Sequence, residues 1–74
     1  MTTEEVRAKL LARFPDATIV VKDLTGGGDH FRAEITTPQF AGKSMIEQHR
    51  MVYAALGRDV GGPIHALQLV TKAS

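Results

Sequence analysis

The first apolar pattern along the chain predicts an amphipathic helix. Val6, Leu10 and Phe14 recur every four residues, so they fall on one face of a helix. Thr2 and Glu5 have the spacing of a capping box, in which each side chain accepts a hydrogen bond from the backbone N–H of the other. The proline that follows Phe14 interrupts the pattern, and the helix is expected to end there.

Two strands joined by a glycine-rich loop are predicted next. Residues 17–21 form a short run dense in β-branched side chains, which favours a strand over a helix. Residues 25–29, Thr-Gly-Gly-Gly-Asp, give the strongest loop signal in the chain. From His30 to Thr36, polar and apolar side chains alternate, as they do in a strand that is buried on one face. The two strands are expected to form an antiparallel hairpin.

A second helix and a last strand complete the predicted elements. Ser44 and Glu47 have the spacing of another capping box, and Gly-Gly-Pro at 61–63 is expected to end the helix that follows. Residues 64–71 are strand-like, and an extra helical turn is expected near Phe40. The side chains expected on or beside the apolar face of this helix are Met45, Ile46, Val52, Ala55, Leu56 and Val60.

The order of these elements predicts an α+β fold. A strand, a helix and a second strand of the same sheet should be joined by a right-handed crossover, which makes those two strands parallel. Together with the hairpin, this gives a mixed three-stranded sheet with helices packed on one face. Such a layout is typical of a type II KH-like domain, here spanning residues 1–74 as one domain.

Composition narrows the classes of function. The chain has 74 residues, of which 43% are apolar and 23% charged, so it is expected to fold rather than stay disordered. It contains no cysteine, which excludes a disulfide scaffold, a thiolate zinc site and a cysteine nucleophile. No apolar run approaches the roughly 20 residues of a membrane span and no signal peptide is apparent, so a cytoplasmic location is expected.

Three histidines are the main candidates for chemistry. His30, His49 and His65 are the only side chains that ordinarily titrate near neutral pH, and no short metal-ligand spacing links them. There is no nucleophilic serine in a recognisable context and no pair of carboxylates. The glycine run lacks the Lys-Ser/Thr of a phosphate-binding loop. An enzyme is therefore not expected.

Each histidine has an ordinary structural interpretation beside a functional one. At the start of the last strand, His65 could pack beside Leu67 and Leu69, which spacing alone favours, or it could reach solvent. His30 begins the second strand and is expected to be a solvated strand histidine. His49 lies inside the second helix, where a packing role is expected rather than a ligand role.

The start of the second helix offers a possible anion site. Residues 42–58 carry Lys43, Arg50 and Arg58 against one glutamate, a net charge of +2. A helix N-terminus preceded by glycine and lysine can hold a phosphate, although an ordinary capped helix start explains the same residues. The basic excess is small, and with one tyrosine, three phenylalanines and no tryptophan the chain has few aromatic side chains for stacking on bases.

Four segments in this order resemble the BolA family. They are Gly-Asp-His-Phe at 28–31, Phe-Ala-Gly-Lys-Ser at 40–44, Gln-His-Arg-Met-Val-Tyr-Ala-Ala-Leu at 48–56 and Ile-His-Ala-Leu at 64–67. The resemblance runs from about Val6 to Thr71. It implies a KH-like fold with the order α-β-β-α-α-β.

The resemblance also implies a function. BolA-like proteins pair with monothiol glutaredoxins and share a two-iron, two-sulfur cluster, for which the partner supplies a cysteine and a glutathione thiolate. The histidine of the Ile-His-Ala-Leu segment is the ligand on the BolA-like side, and here it is His65. Some members carry a second ligand, Cys or His, in the loop between the first two strands. Here that loop has neither, and His30 just after it is the nearby candidate. The implied role is a non-enzymatic adaptor in iron–sulfur handling or in iron and redox signalling.

A second function is implied by the same resemblance. The family includes DNA-binding transcriptional regulators, and the corresponding contact region would be the Gly-Lys-Ser turn with Lys43 and the following helix with Arg50. The two functions stay open at the level of the sequence.

Overall fold

Two helices and three strands, in the order α1-β1-β2-α2-β3, make up the fold. The computed structural model of the protein describes residues 1–74. The helices are α1 (Thr3–Arg13) and α2 (Met45–Leu56), and the strands are β1 (Thr18–Asp23), β2 (His30–Thr36) and β3 (Ala66–Lys72). Two single 3-10 turns, Pro38–Phe40 and Gly57–Asp59, flank α2. Neither helix has the length and apolar character of a membrane span.

The sheet has the mixed arrangement that the sequence predicts. Its strand order is β1-β2-β3, with β2 in the centre, antiparallel to β1 and parallel to β3. In the parallel pair His30 lies opposite Ala66, so the first residues of β2 and β3 sit at the same end of the sheet.

The core lies between one face of the sheet and the two helices. Strand β2 alternates as predicted, and its inward-facing side chains are buried. Helix α1 packs against β1, and α2 packs against α1 and β3. Phe14 and Phe40 meet edge to face with ring centroids 5.4 Å apart, so the turn at Phe40 is packed against the end of α1. The buried apolar side chains are Val6, Leu10, Phe14, Ile19, Phe31, Ala33, Ile35, Phe40, Val52, Leu56 and Ile64.

Both predicted capping boxes are confirmed. Thr2 and Glu5 exchange the two expected hydrogen bonds at the start of α1, and Ser44 and Glu47 do the same at the start of α2. The backbone N–H of Ser44 is the main cause that holds the pKa of the Glu47 carboxyl below its usual value. Each box satisfies backbone donors that a helix start would otherwise leave unpaired.

The prediction for the second helix is wrong in two respects. The helix ends at Leu56, because Gly57 takes a positive φ of 58° and starts a 3-10 turn, so Val60 lies outside it. Met45 and Ile46 are 57% and 64% exposed rather than buried. Ile46 lies about 120° round the helix from Val52 and about 80° from Leu56, the two buried residues of α2. Met45 contacts Thr71, with its sulfur 3.5 Å from the threonine hydroxyl.

Two smaller differences concern the order of elements. The first member of the α-α pair is only the 3-10 turn Pro38–Phe40, so the structure has two α-helices and not three. Strand β3 begins at Ala66 and not at residue 64, because Ile64 instead forms an isolated parallel bridge with Val60.

The buried position of Leu10 leads to a stability prediction. Leu10→Ala should lower the free energy of unfolding by about 2–5 kcal/mol, because the residue is fully buried and the deletion leaves a cavity. Leu24→Ala makes the same chemical change at a side chain that is 46% exposed, and it should cost about 1 kcal/mol or less. Urea denaturation followed by circular dichroism measures both. Equal losses would contradict the assignment of Leu10 to the core.

Candidate functional site

Hydrogen bonds to Asp23 order the loop that leads into β2. Its carboxylate accepts from the backbone N–H groups of Thr25 and Gly26 at 3.2 and 2.9 Å, and from Gly28 at 3.0 Å. Gly28 has a φ of +74°, and a Cβ at this position would lie 2.6 Å from the carbonyl oxygen of Met1. Only glycine fits such a position without displacing the chain. The loop therefore holds the start of β2 in a fixed place.

The backbone of Asp29 joins this loop to the start of β3. Its carbonyl oxygen accepts hydrogen bonds from the N–H groups of His65, at 2.7 Å, and Ala66, at 3.2 Å. Two successive N–H groups thus point to one acceptor, whereas along a strand they point alternately to opposite sides. The regular alternation of backbone and side-chain directions in β3 therefore begins only after His65.

This break in alternation places His65 on the surface. Leu67 and Leu69 are half-buried on the core side of β3, and Ile64 before the strand is fully buried, yet His65 between them is exposed. The arrangement that spacing alone favours, with His65 packed beside the leucines, is therefore wrong. The residue takes the solvent-facing alternative.

The rings of His30 and His65 lie side by side. Their centroids are 5.3 Å apart and their planes are tilted by 59°. The side chain of His30 is 35% exposed, less than expected for a solvated strand histidine. We call these two residues the histidine pair. Two residues far apart in sequence thus offer two imidazoles at one place.

Asp29 also contacts the histidine pair through its side chain. Its Oδ1 lies 2.9 Å from Nδ1 of His30, and this contact is the main cause that lowers the pKa of the Asp29 carboxyl. Nδ1 is buried, and its N–H is not aimed along the line to the oxygen, so the contact is electrostatic rather than a linear hydrogen bond. The nitrogen of His30 that remains open to a ligand is Nε2.

The histidine pair fits part of a ligand set rather than a complete one. Neutral imidazole is a good ligand for iron and other transition metals. No cluster of three or more His, Cys, Asp or Glu side chains in residues 1–74 could hold a metal ion. A metal bound at the pair therefore needs further ligands from another molecule, and the pair lies on an open surface rather than in a pocket.

The third histidine lies apart from the pair. His49 is half-buried on α2, in keeping with the packing role expected for it. Its Nε2 is buried without a hydrogen-bond partner. Its ring makes no contact with the ring of His30 or His65. His49 can therefore serve as a control in experiments on the histidine pair.

Lys43 lies just before α2 and Arg50 lies in the middle of the helix, and both are exposed. Their positive charges contribute, after Ser44, to the lowered pKa of Glu47, so the three charged groups lie within electrostatic reach of one another. The Glu47 carboxylate already accepts the N–H of Ser44. A phosphate at this place would therefore depend on the two basic side chains more than on the helix N-terminus.

Comparison with known proteins shows to which family the chain belongs. The sequence model of the family described as BolA-like protein matches residues 14–74. The chain belongs to the BolA family. This confirms the resemblance seen in the four sequence segments.

Named BolA relatives cover most of the chain. Protein BOLA2 of Arabidopsis thaliana is 40% identical over 70 residues, covering 93% of this chain and 74% of the relative. The DNA-binding transcriptional regulator BolA of Escherichia coli (strain K12) is 30% identical over 78 residues, covering 96% and 74%. The solved structure of BolA1 from Arabidopsis thaliana has a TM-score of 0.86 at 27% identity, covering 96% of this chain and 89% of that one. The mixed α+β architecture is thus the BolA fold.

Sequence reasoning missed Asp29 as part of this candidate site. Asp29 belongs to the predicted glycine-rich loop, and nothing in its spacing links it to the last strand. The sequence feature that could have identified Asp29 is its position between the glycine run and His30, in the Gly-Asp-His-Phe segment. Its backbone contact with His65 depends on strand pairing, which no local pattern reveals.

The loop contacts of Asp23 lead to a second prediction. Asp23→Ala should speed hydrogen exchange at the amides of Gly26 and Gly28 by about five- to tenfold, the factor for roughly 1 kcal/mol of lost hydrogen bonding. Asp59→Ala is the control, because its carboxylate pairs with Lys9 and not with the loop. NMR exchange rates measure both variants. Unchanged rates in Asp23→Ala would show that Asp23 does not order the loop.

Proposed function

We propose that this BolA-family protein is a non-enzymatic adaptor that binds a monothiol glutaredoxin and shares a two-iron, two-sulfur cluster with it through His65. The observation that carries this proposal is the exposed His65 ring beside the ring of His30. A cytoplasmic location and a role in iron–sulfur handling or in iron and redox signalling belong to the same proposal.

The chemistry of the donors supports this assignment. Histidine replaces cysteine on one iron of some two-iron clusters, so an imidazole is a suitable ligand. The chain has no cysteine, so in this proposal the thiolates come from the glutaredoxin and from glutathione. His65 is the principal ligand of the chain, and His30 is the second candidate.

The chain's own residues prepare His65 for binding. The hydrogen bond from its backbone N–H to the Asp29 carbonyl fixes the position of its main chain. The ring is already exposed, so a partner reaches it without opening the core. Because this main chain is already ordered, binding at His65 costs little backbone entropy.

The third prediction tests this role of His65. A glutaredoxin loaded with its cluster is titrated with the protein and followed by visible absorption and circular dichroism. The wild type should give a saturable spectral change, and His65→Ala should abolish it because an iron ligand is lost. His49→Ala is the matched control, since it removes a histidine outside the pair, and it should behave as wild type.

The other outcomes separate the parts of this proposal. An unchanged spectrum with His65→Ala would remove His65 as a ligand and move the test to His30→Ala. No spectral change with the wild type would overturn the glutaredoxin partnership itself.

A second candidate function is DNA binding. The relative from Escherichia coli is named a DNA-binding transcriptional regulator, and it aligns with 96% of this chain. Lys43 and Arg50 are both exposed and could each contact a phosphate. Two such contacts would give weak, salt-dependent binding.

The fourth prediction tests the DNA contact region. In fluorescence anisotropy with a labelled mixed-sequence duplex, the double variant Lys43→Ala/Arg50→Ala should weaken binding. Its plot of log K against log salt should become shallower by about 1.8, from roughly 0.9 per phosphate contact. The control Lys22→Ala/Lys72→Ala removes two basic side chains elsewhere and should keep the wild-type slope. Equal effects of the two pairs would contradict a contact region at α2.

A further inference from the structure

Asp29 touches both members of the histidine pair. Its backbone carbonyl accepts the hydrogen bond of the His65 N–H, and its Oδ1 lies 2.9 Å from Nδ1 of His30. The hydroxyl of Thr25 donates a hydrogen bond of 3.2 Å to the same oxygen, which limits rotation of the carboxylate. One residue therefore fixes the main chain of one histidine and faces the ring of the other.

The short approach to His30 decides which of its nitrogens carries the proton when the ring is neutral. An unprotonated Nδ1 carries a partial negative charge, which a negatively charged oxygen at 2.9 Å repels even when the lone pair is not aimed straight at it. A proton on Nδ1 makes the same contact attractive, even where the N–H is not aimed straight at the oxygen. Nδ1 is buried, so water does not replace the carboxylate as its neighbour.

We infer that Asp29 is a positioning residue of the histidine pair: its carboxylate keeps the proton of neutral His30 on Nδ1 and leaves the lone pair of Nε2 for a metal. This role rests on the proposed function, because it makes His30 the second ligand of the chain. A carboxylate behind a ligating histidine fixes the tautomer and the orientation of the ring in many metal sites.

The tautomer of His30 is measurable in the chain alone, without iron or a partner. Long-range ¹H–¹⁵N correlation spectra, recorded above the pH at which histidines titrate, distinguish the two forms. The wild type should show mainly Nδ1–H at His30. Asp29→Ala keeps the backbone carbonyl and removes the carboxylate, so the Nε2–H form, which an unperturbed imidazole favours, should predominate. The same tautomer in both proteins, or Nε2–H in the wild type, would overturn the inference.

Three controls separate positioning from a general effect on the loop. Thr25→Ala frees the carboxylate to rotate but keeps its charge beside Nδ1, so the Nδ1–H form should still predominate at His30. Asp29→Asn restores an oxygen without the charge and should recover part of the Nδ1–H form. His49 should keep its wild-type signals in every variant, which shows that the fold is intact.

A binding measurement tests whether the tautomer of His30 affects metal binding. Loss of such an outer carboxylate costs about 10- to 100-fold in metal affinity at other sites, so Asp29→Ala should bind the cluster-loaded glutaredoxin about 10- to 100-fold more weakly. A switched tautomer with unchanged affinity would overturn the part of the inference that concerns the metal. If the wild type forms no cluster-bridged complex, the proposed function fails, while the tautomer measurement still decides whether Asp29 sets the proton of His30.

Discussion

Strand β3 pairs with β2 in parallel, so the chain between them has to cross from one end of the sheet to the other. Helix α2 makes this crossover and covers the sheet on the same side as α1. The crossover also brings the chain back to the end where the hairpin loop lies. The residue that enters β3 therefore meets the residue that enters β2. Had β3 been antiparallel to β2, His65 would lie at the opposite end of the sheet from His30.

This geometry also explains how far the sequence could predict the structure. Helix α1 and strand β2 follow from local patterns, because the spacing of Val6, Leu10 and Phe14 and the alternation after His30 survive unchanged in the fold. Fold class and sheet topology followed from the order of elements. The exposure of His65 did not follow, because it depends on two N–H groups sharing the Asp29 carbonyl, a contact between distant parts of the chain. Ile46 is a different case, since it is an apolar residue at a helical position that faces solvent.

The two faces of the sheet have different roles. One face buries the core that stabilises a small domain. No second layer of structure covers the other face, which carries charged side chains. Among them, Arg32 and Lys22 lie 3.2 and 3.9 Å from a carboxylate oxygen of Glu34. Such surface ion pairs add at most about 1 kcal/mol each to the stability of the fold. Their main effect is to make this face of the sheet hydrophilic. Stability therefore comes from the helix side, and the histidine pair at the end of the sheet makes no part of the buried core.

The position of the histidine pair outside the core has a consequence for the proposed function. The imidazoles of His30 and His65 are neutral donors, and the chain adds no thiolate to them. Two neutral ligands on an open surface hold iron weakly compared with the thiolates of a partner, and no third donor of this chain stands ready to complete the set. Under the proposed function, the cluster would then stay with the glutaredoxin whenever the two proteins separate. Such an adaptor would alter how a bound cluster is held and presented without being able to carry it away alone.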